Sequence, residues 1–476
     1  MLHIDASLSP ADLSTRIARM WERSAVCLDA LERDWHPAHG SPVFTVDGRY
    51  TAQGWTEWTQ GFQFGSAILQ FDAAREQRFL ESGRRATVEH MAPHVSHIGV
   101  HDHGFNNVST YGNLRRLILE GRIPRNQSEL DFYELALKLS GAVQAARWTN
   151  TDDRLGFIYS FNGPHSLFSD TMRSLRALAL AHQLGHKLMG EGDRPISLLW
   201  RLVEHARTTA MYNVYYGGQR DAYDVPGRVV HESIFNTKNG AYRCPSTQQG
   251  YSPFTTWTRG LAWIVLGYAE QLEFLETVPD NELDPLGGRT SLETDMLRAC
   301  SVACDYFIEN TPTDGVPYWD TGAPGLAHLG NYLDRPADPF NDHEPVDSSA
   351  AAITCQGLIR LGRYLINHPD AQPAGCRLAG ERDDLPRAGR RYVQAGLTTL
   401  RTLLSEPYLS SDPNHHGLLL HSIYHRPRGW DHIPHGRKIP CGEACLWGDY
   451  HLREAALYVS RLAEGKDYTF FGPALT

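Results

Sequence analysis

Two short segments carry residue types suited to moving protons. In HDHGFNN, His101 to Asn107, two histidines, an acid and a glycine fill four consecutive positions, and in SLFSDTMRSLRAL, Ser166 to Leu178, Asp170 follows a serine and opens an apolar run. A carboxylic acid held protonated can give a proton to a substrate, and once ionised it can take one from water. A metal centre is the competing chemistry for the first segment. The side chains of His101, Asp102 and His103 diverge along the backbone, however, and lack the i, i+4 spacing that sets two ligands on one helical face. We reject metal binding there. A third role fits both acids, because each stands before a helical pattern, where a carboxylate caps free N–H groups or complements the helix dipole. On these segments alone, capping and catalysis both stay open for Asp102 and Asp170.

The elements that must position these acids are helices. Apolar residues recur at i, i+3, i+4 and i+7 in segment after segment, and strict alternation is nearly absent. The pattern predicts about twelve helices, roughly Pro10 to Glu32, Gly61 to Phe71, Ala74 to Met91, Asn106 to Gly121, Glu129 to Ala146, Asp170 to Gly185, Ile196 to Tyr212, Thr255 to Glu276, Ser291 to Asn310, Ser348 to Ile366, Pro386 to Ser405 and Gly442 to Leu462. Two connections, Tyr223 to Pro253 and Thr313 to Val346, are too long for turns and are expected to carry function. No repeat of about 34 or 40 residues supports an open solenoid. The expectation is an all-α chain forming one (α/α)6 barrel over residues 1–476, six helical hairpins closed into a toroid of inner and outer helices.

Composition narrows the partners. Hydrophobic residues at 41% and charged residues at 21% supply a large core and exclude a disordered chain. A formal charge of -10 provides no basic excess for a nucleic-acid polyanion, so a small or neutral ligand is expected. The start MLHIDASLSPADL has no basic stretch before an apolar core, and no apolar run reaches the roughly 18 residues of a membrane span. A cytoplasmic protein without a membrane partner is the expectation, and a homodimer is left open. The eight cysteines contain no CxxC pair, and Cys304, Cys355 and Cys445 read as core residues.

The aromatic residues suggest what the ligand is. Trp and Tyr cluster in GWTEWTQGF (Gly54 to Phe62), TTWTRGLAW (Thr255 to Trp263) and VPYWD (Val316 to Asp320), near Gln60, Arg259 and Asp320. Flat apolar faces with polar edges suit stacking on sugar rings, although large aromatics also fill a wide barrel core.

With those residues in view, the chain resembles the unsaturated glucuronyl hydrolases, glycoside hydrolase family 88, and more distantly family 105. The motifs occur in family order: WTQGF, HDHGF, SDTM, VVHESIF, QQGYSPFTTWTRGLAW, VPYWD, DSSAAAI and LWGDYHLREA, from Trp58 to Ala455. The resemblance implies an (α/α)6 barrel, in agreement with the helix count. It implies Asp170 as catalytic acid and base, Asp102 as its essential neighbour, and Trp58, His231, Gln249, Trp257, Arg259 and Trp263 as pocket residues. This sequence departs from the family pattern at His103, Arg173 and Arg176 and in a longer Ala323 to Val346 run, positions that could alter the subsites.

The implied substrate is an oligosaccharide left by a polysaccharide lyase, whose terminal uronate carries a C4=C5 double bond and is a vinyl ether. The implied reaction needs neither metal nor cofactor. A protonated Asp170 gives its proton to C4, water adds at C5, and the hemiketal opens to release the partner sugar. Burial and a negative Asp102 would keep Asp170 protonated, and the fork of Arg259 suits either the substrate carboxylate or Asp102. Two other activities remain open. A conventional glucuronidase would use two carboxylates about the anomeric carbon, and a sugar epimerase of this barrel type would draw on His231, His415, His416 and His421.

Overall fold

The computed structural model describes residues 1–54, 57–371 and 385–472. Among them twelve long helical segments follow one another: Ser14–Asp34, Gln60–Ala74, Gln77–His90, then His103–Asn107 carried through a wide π turn at Val108–Gly112 into Asn113–Leu119, then Gln127–Ala146 and Thr171–Ser174 continued by Arg176–Gln183. Leu198–Tyr212, Thr258–Leu275, Arg289–Asn310, Ser348–Asn367, Leu385–Leu403 and Leu446–Ala463 complete the series. Polar side chains start several of them. Asn126 accepts the N–H groups of Ser128 and Glu129, Ser197 that of Trp200, and Asp347 that of Ser349.

Burial sorts these helices into two rings. Alternate members, beginning with Gln60–Ala74, are apolar or small nearly all round; Thr258–Leu275 and Ser348–Asn367 bury almost every residue. Their partners bury one stripe, as Ser14–Asp34 and Gln77–His90 do. Each inner helix packs on the next, and Leu446–Ala463 returns to pack on Gln60–Ala74, which closes the ring. This is the (α/α)6 barrel that the periodicity predicts. Cys304, Cys355 and Cys445 lie buried in it.

Two glycines set how closely the inner helices meet on the side where they begin. A Cβ on Gly61 would lie 2.4 Å from the Asn106 backbone, and one on Gly104 would lie 2.3 Å from the carbonyl oxygen of Ser174. Only a residue without a side chain allows these approaches. Beneath them runs a buried charge layer. Arg173 pairs with Glu270 and lies 2.9 Å from Glu454, while Arg176 lies 3.6 Å from Glu454 and donates to the Gly104 carbonyl. Arg173 and Arg176, expected as possible subsite residues, are therefore core ties between inner helices.

The sequence reading passes over the short strands. Nine segments of three to five residues form four small sheets in the connections, the largest joining Ser166–Phe168, Glu232–Phe235 and Tyr242–Ser246. Such segments are too short for an alternating pattern to register. No helix among the described residues is long and apolar enough to cross a membrane.

Candidate active site

Asp102 and Asp170 stand at the N-cap positions of His103–Asn107 and Thr171–Ser174, yet neither side chain accepts a capping hydrogen bond. Both instead line a cavity of about 300 Å³ where the inner helices begin, within the range of small-ligand pockets. Ser174 holds the two acidic turns together. Its hydroxyl donates to the His101 carbonyl at 2.6 Å and accepts the Gly104 N–H at 2.8 Å. Gln144 donates to the same carbonyl and the same hydroxyl.

The three-stranded sheet brings a histidine to the other side of Asp170. Phe168 pairs with Glu232, and the Ser169 N–H donates to the His231 carbonyl at 2.9 Å. His231 Nε2 consequently lies 3.8 Å from Asp170 Oδ2. Its Nδ1 accepts the backbone N–H of Gln248 at 3.0 Å, which leaves the ring hydrogen on Nε2, the nitrogen nearer the carboxylate.

The surroundings drive the two carboxyls apart. Burial is the largest influence on Asp102 and, with the negative charge of Asp170, pushes it up to about 7 against the pull of Arg147. At Asp170 burial is outweighed by the hydrogen of His231 and by His101 and Arg259, which hold it below the usual carboxylate range. The directions are the reverse of those expected from sequence: Asp102 is the carboxyl pushed up, and Asp170 the one held down. The physical reason is positional, since His231 and Arg259 from distant segments act on Asp170, whereas at Asp102 burial and the charge of Asp170 outweigh Arg147.

Aromatic faces form the rest of the pocket. Trp58 stacks on Trp447 at 4.9 Å, and Phe105 packs against Trp263 at 4.8 Å. Trp257 meets the His231 ring edge to face at 4.8 Å, and the Arg259 guanidinium lies 4.6 Å over its indole. Arg259 is fully committed. It pairs with Asp347 at 2.9 Å, donates to the carbonyls of Ile423 and Tyr424, and reaches Gln249 Oε1 at 3.3 Å. Of the partners expected for its fork, Asp102 is not among these contacts; Asp347, Gln249 and the backbone of the pocket wall are.

Of the residues singled out by sequence, Asp102, Asp170, Trp58, Gln249, Trp257, Arg259 and Trp263 line this one cavity, and His231 backs Asp170. The loop from Tyr223 to Pro253 delivers His231, Gln248 and Gln249, as a functional loop should. The loop from Thr313 to Val346 does not reach the cavity. Trp319 donates to Glu344, and Asp320 accepts the N–H groups of Tyr251 and Gly322. Gln60 bonds His94, and His103 bonds Ser140 and the His97 carbonyl, so neither faces the pocket. Trp55 and Thr56 of the first aromatic cluster lie outside the described residues. His415, His416 and His421 are absent from the lining. Residues the sequence did not disclose are His97, Phe161, Tyr424 and His425, while His101 and Gln248 lie in quoted motifs but were given no pocket role. Both ring nitrogens of His425 and the Gln248 Oε1 are buried without a hydrogen-bond partner.

Helical toroid, aromatic walls and paired carboxylates together describe a carbohydrate-type pocket at one end of an (α/α)6 barrel. The curated relatives of the chain are unsaturated glucuronyl hydrolases and unsaturated chondroitin disaccharide hydrolases, and its structural neighbours include unsaturated glucuronyl hydrolases. The enzyme of that name from Bacillus sp. strain GL1 is 23% identical over 427 residues, covering 88% of this chain and 90% of the relative. That of Formosa agariphila is 24% identical over 405 residues, 84% of this chain and 79% of the relative. A solved unsaturated glucuronyl hydrolase specific for heparin superposes with a TM-score of 0.67 at 17% identity, over 96% of this chain and 99% of its own. These neighbours share the fold and agree with the resemblance carried by the motifs. No family model matches the chain.

Proposed function

We propose that the chain acts as one catalytic domain that hydrates a terminal 4,5-unsaturated uronate and so releases it from a lyase-generated oligosaccharide. One observation carries the reading: two buried carboxylates at helix starts forgo capping and share an aromatic pocket in which their proton affinities are split. The curated relatives bear the name of that activity.

In this reading the uronate ring lies against the indole faces of the pocket, with Gln249 oriented by Arg259 to meet its hydroxyls. The pair of acids holds one proton. Arrival of the anionic uronate and exclusion of water raise the proton affinity of both carboxyls, so Asp170, ionised at rest, takes up a proton from Asp102 or from solvent and passes it to C4. Positive charge develops at C5 and the ring oxygen, water adds to C5, and Asp170 takes the proton that this water gives up. The resulting hemiketal opens to a C5 ketone. Its C1 hemiacetal then loses the partner sugar as an alcohol and leaves an aldehyde, so one water is consumed and no bond at the anomeric carbon is attacked directly.

A second reading follows from the resting proton on Asp102. Asp102 would protonate C4 while the ionised Asp170, backed by His231, activates the water. The variants separate the two, because the first reading leaves measurable turnover in Asp102→Asn and the second leaves none in either Asp102→Asn or Asp170→Asn.

Solvent isotopes test the reaction itself. In heavy-oxygen, deuterated water the first-turnover product, trapped by reduction, should carry oxygen label at C5 and deuterium at C4, and the absorbance of the conjugated double bond should fall in step with sugar release. Label at the anomeric carbon alone, with the double bond surviving cleavage, would recast the acids as a conventional glycosidase pair.

A further inference from the structure

Away from the pocket, three distant segments bring ligand-type atoms to one point. The hairpin of Phe44–Val46 and Arg49–Thr51 turns through Asp47 and Gly48, both at positive φ, 49° and 73°. That is the two-residue turn shape in which Asp-Gly is favoured. It swings the Asp47 carboxylate outward to His432, whose Nε2 lies 3.2 Å from Oδ1. Glu443 enters from the other side. Its Oε2 accepts the Gly48 N–H at 3.3 Å and the Thr45 hydroxyl, which fixes it under the turn.

One ligand atom each from Asp47, His432 and Glu443 lie within 4.8 Å of one another. The His432 Nε2 is inaccessible to solvent and makes no hydrogen bond, despite its closeness to Asp47, because the geometry is not that of a donor aimed at an acceptor. An imidazole nitrogen buried without a partner calls for an explanation, and affinity for a cation is one. His415 stands beside the cluster with Nε2 3.7 Å from Glu443 Oε2, while its Nδ1 accepts the Gly417 N–H at 2.9 Å. His415 is a neighbour of Glu443 outside the group of three ligand atoms.

We propose that Asp47, His432 and Glu443 bind one divalent first-row metal ion, of which zinc is the representative. One imidazole nitrogen and two carboxylate oxygens are a donor set for such ions, with water completing the shell. Ligands about 2.1 Å from the ion require their donor atoms to be roughly 3.3 Å apart. Asp47 Oδ1 and His432 Nε2 already stand at that spacing, 3.2 Å, and the Asp47 side chain, 83% exposed, is free to adjust towards Glu443.

Such an ion clamps the amino-terminal hairpin to the segment that forms one pocket wall. Asp431, next to His432, accepts the His425 N–H at 3.0 Å and that of Tyr424, so the wall and the ligand loop are one unit. The ion braces the wall and takes no part in proton transfer.

The test is calorimetric titration of zinc sulfate into the chelator-treated full chain, with cobalt(II) absorption as a second probe and melting curves alongside. The expected result is one zinc per chain, a higher melting temperature on binding, and affinity weakened roughly tenfold or more in both Asp47→Asn and His432→Gln. Asp47 is exposed enough that its variant keeps the fold, which a melt matching the chelated wild type verifies. No stoichiometric uptake by the wild type, or uptake equally tight in both variants, overturns the proposal. Neither outcome depends on which sugar the pocket accepts.

Discussion

Arg259 and Asp347 form a buried ion pair, Nη1 to Oδ2 at 2.9 Å, at the base of the pocket wall. The rest of the same guanidinium holds the carbonyls of Ile423 and Tyr424 and the Gln249 side chain. A lysine has the charge but not the fork, and cannot satisfy four acceptors at once. Arg259→Lys is therefore expected to raise KM about tenfold and lower the melting temperature while leaving chemistry in the bound complex less affected. Steady-state kinetics on an unsaturated disaccharide together with a thermal melt check this. An unchanged KM would mean that the wall holds its shape without Arg259.

Asp170→Asn retains the size of the side chain and removes its ability to exchange a proton. Turnover should fall by about 10³ or more, with far-ultraviolet dichroism unchanged and the melting temperature preserved. The side chain does not cap its helix, so no helix-start energy is lost with the charge. Turnover near that of the wild type would remove Asp170 from the mechanism.

How much of this was legible beforehand varies with the range of the interaction that matters. Helix periodicity is local, so the twelve helices and the barrel follow from it, and Trp58, Trp257 and Trp263 sit in motifs readable as strings. The split in proton affinity was not legible. It depends on His231 reaching Asp170 through a three-residue strand too short to recognise. The same holds for Asp347, which caps its helix and also neutralises Arg259 from a distant segment. Arg173 and Arg176 were misjudged because a charged side chain on an apolar helix is indistinguishable, in sequence, from one that finds Glu270 or Glu454 across the core. Asp47, His432 and Glu443 lie too far apart in the chain for any spacing rule to unite them.

The raised affinity of Asp102 for its proton makes stability depend on pH with a definite sign. Burial and the negative charge of Asp170 push its carboxyl up to about 7 in the folded protein, well above the range of an exposed aspartate. The folded state therefore binds this proton more tightly than the unfolded chain does. The contribution is fully present below the unfolded value and is lost as pH rises through about 7. Asp102→Asn removes that loss, so the variant should melt a few degrees above the wild type at pH 8 and show little gain at pH 4. In activity, kcat/KM of the wild type should fall as pH rises through about 7, when the pair gives up its proton, and any residual activity of Asp102→Asn should lack that limb. A variant with the wild-type limb intact would assign the titration to another group.

The approach of the two acidic turns gives the most geometric prediction. A methyl group on Gly104 would sit 2.3 Å from the Ser174 carbonyl oxygen and 2.6 Å from its Cα, contacts with backbone that no rotamer change relieves. Gly104→Ala must push His103–Asn107 away from Thr171–Ser174, stretching the bonds that Ser174 makes to His101 and Gly104. Asp102 and Asp170 would separate as well, since each begins one of those turns. The overpacking should cost about 1–3 kcal/mol of stability. The coupling between the acids should weaken with distance, so the alkaline limb of kcat/KM should move below its wild-type position as kcat falls, because the negative Asp170 helps keep the proton on Asp102. Ser174→Ala, which removes the bracing hydroxyl without adding bulk, should shift the limb in the same direction with a smaller loss of stability. A Gly104→Ala protein that loses stability but keeps the wild-type pH profile would show that the spacing of the acids is set elsewhere in the barrel.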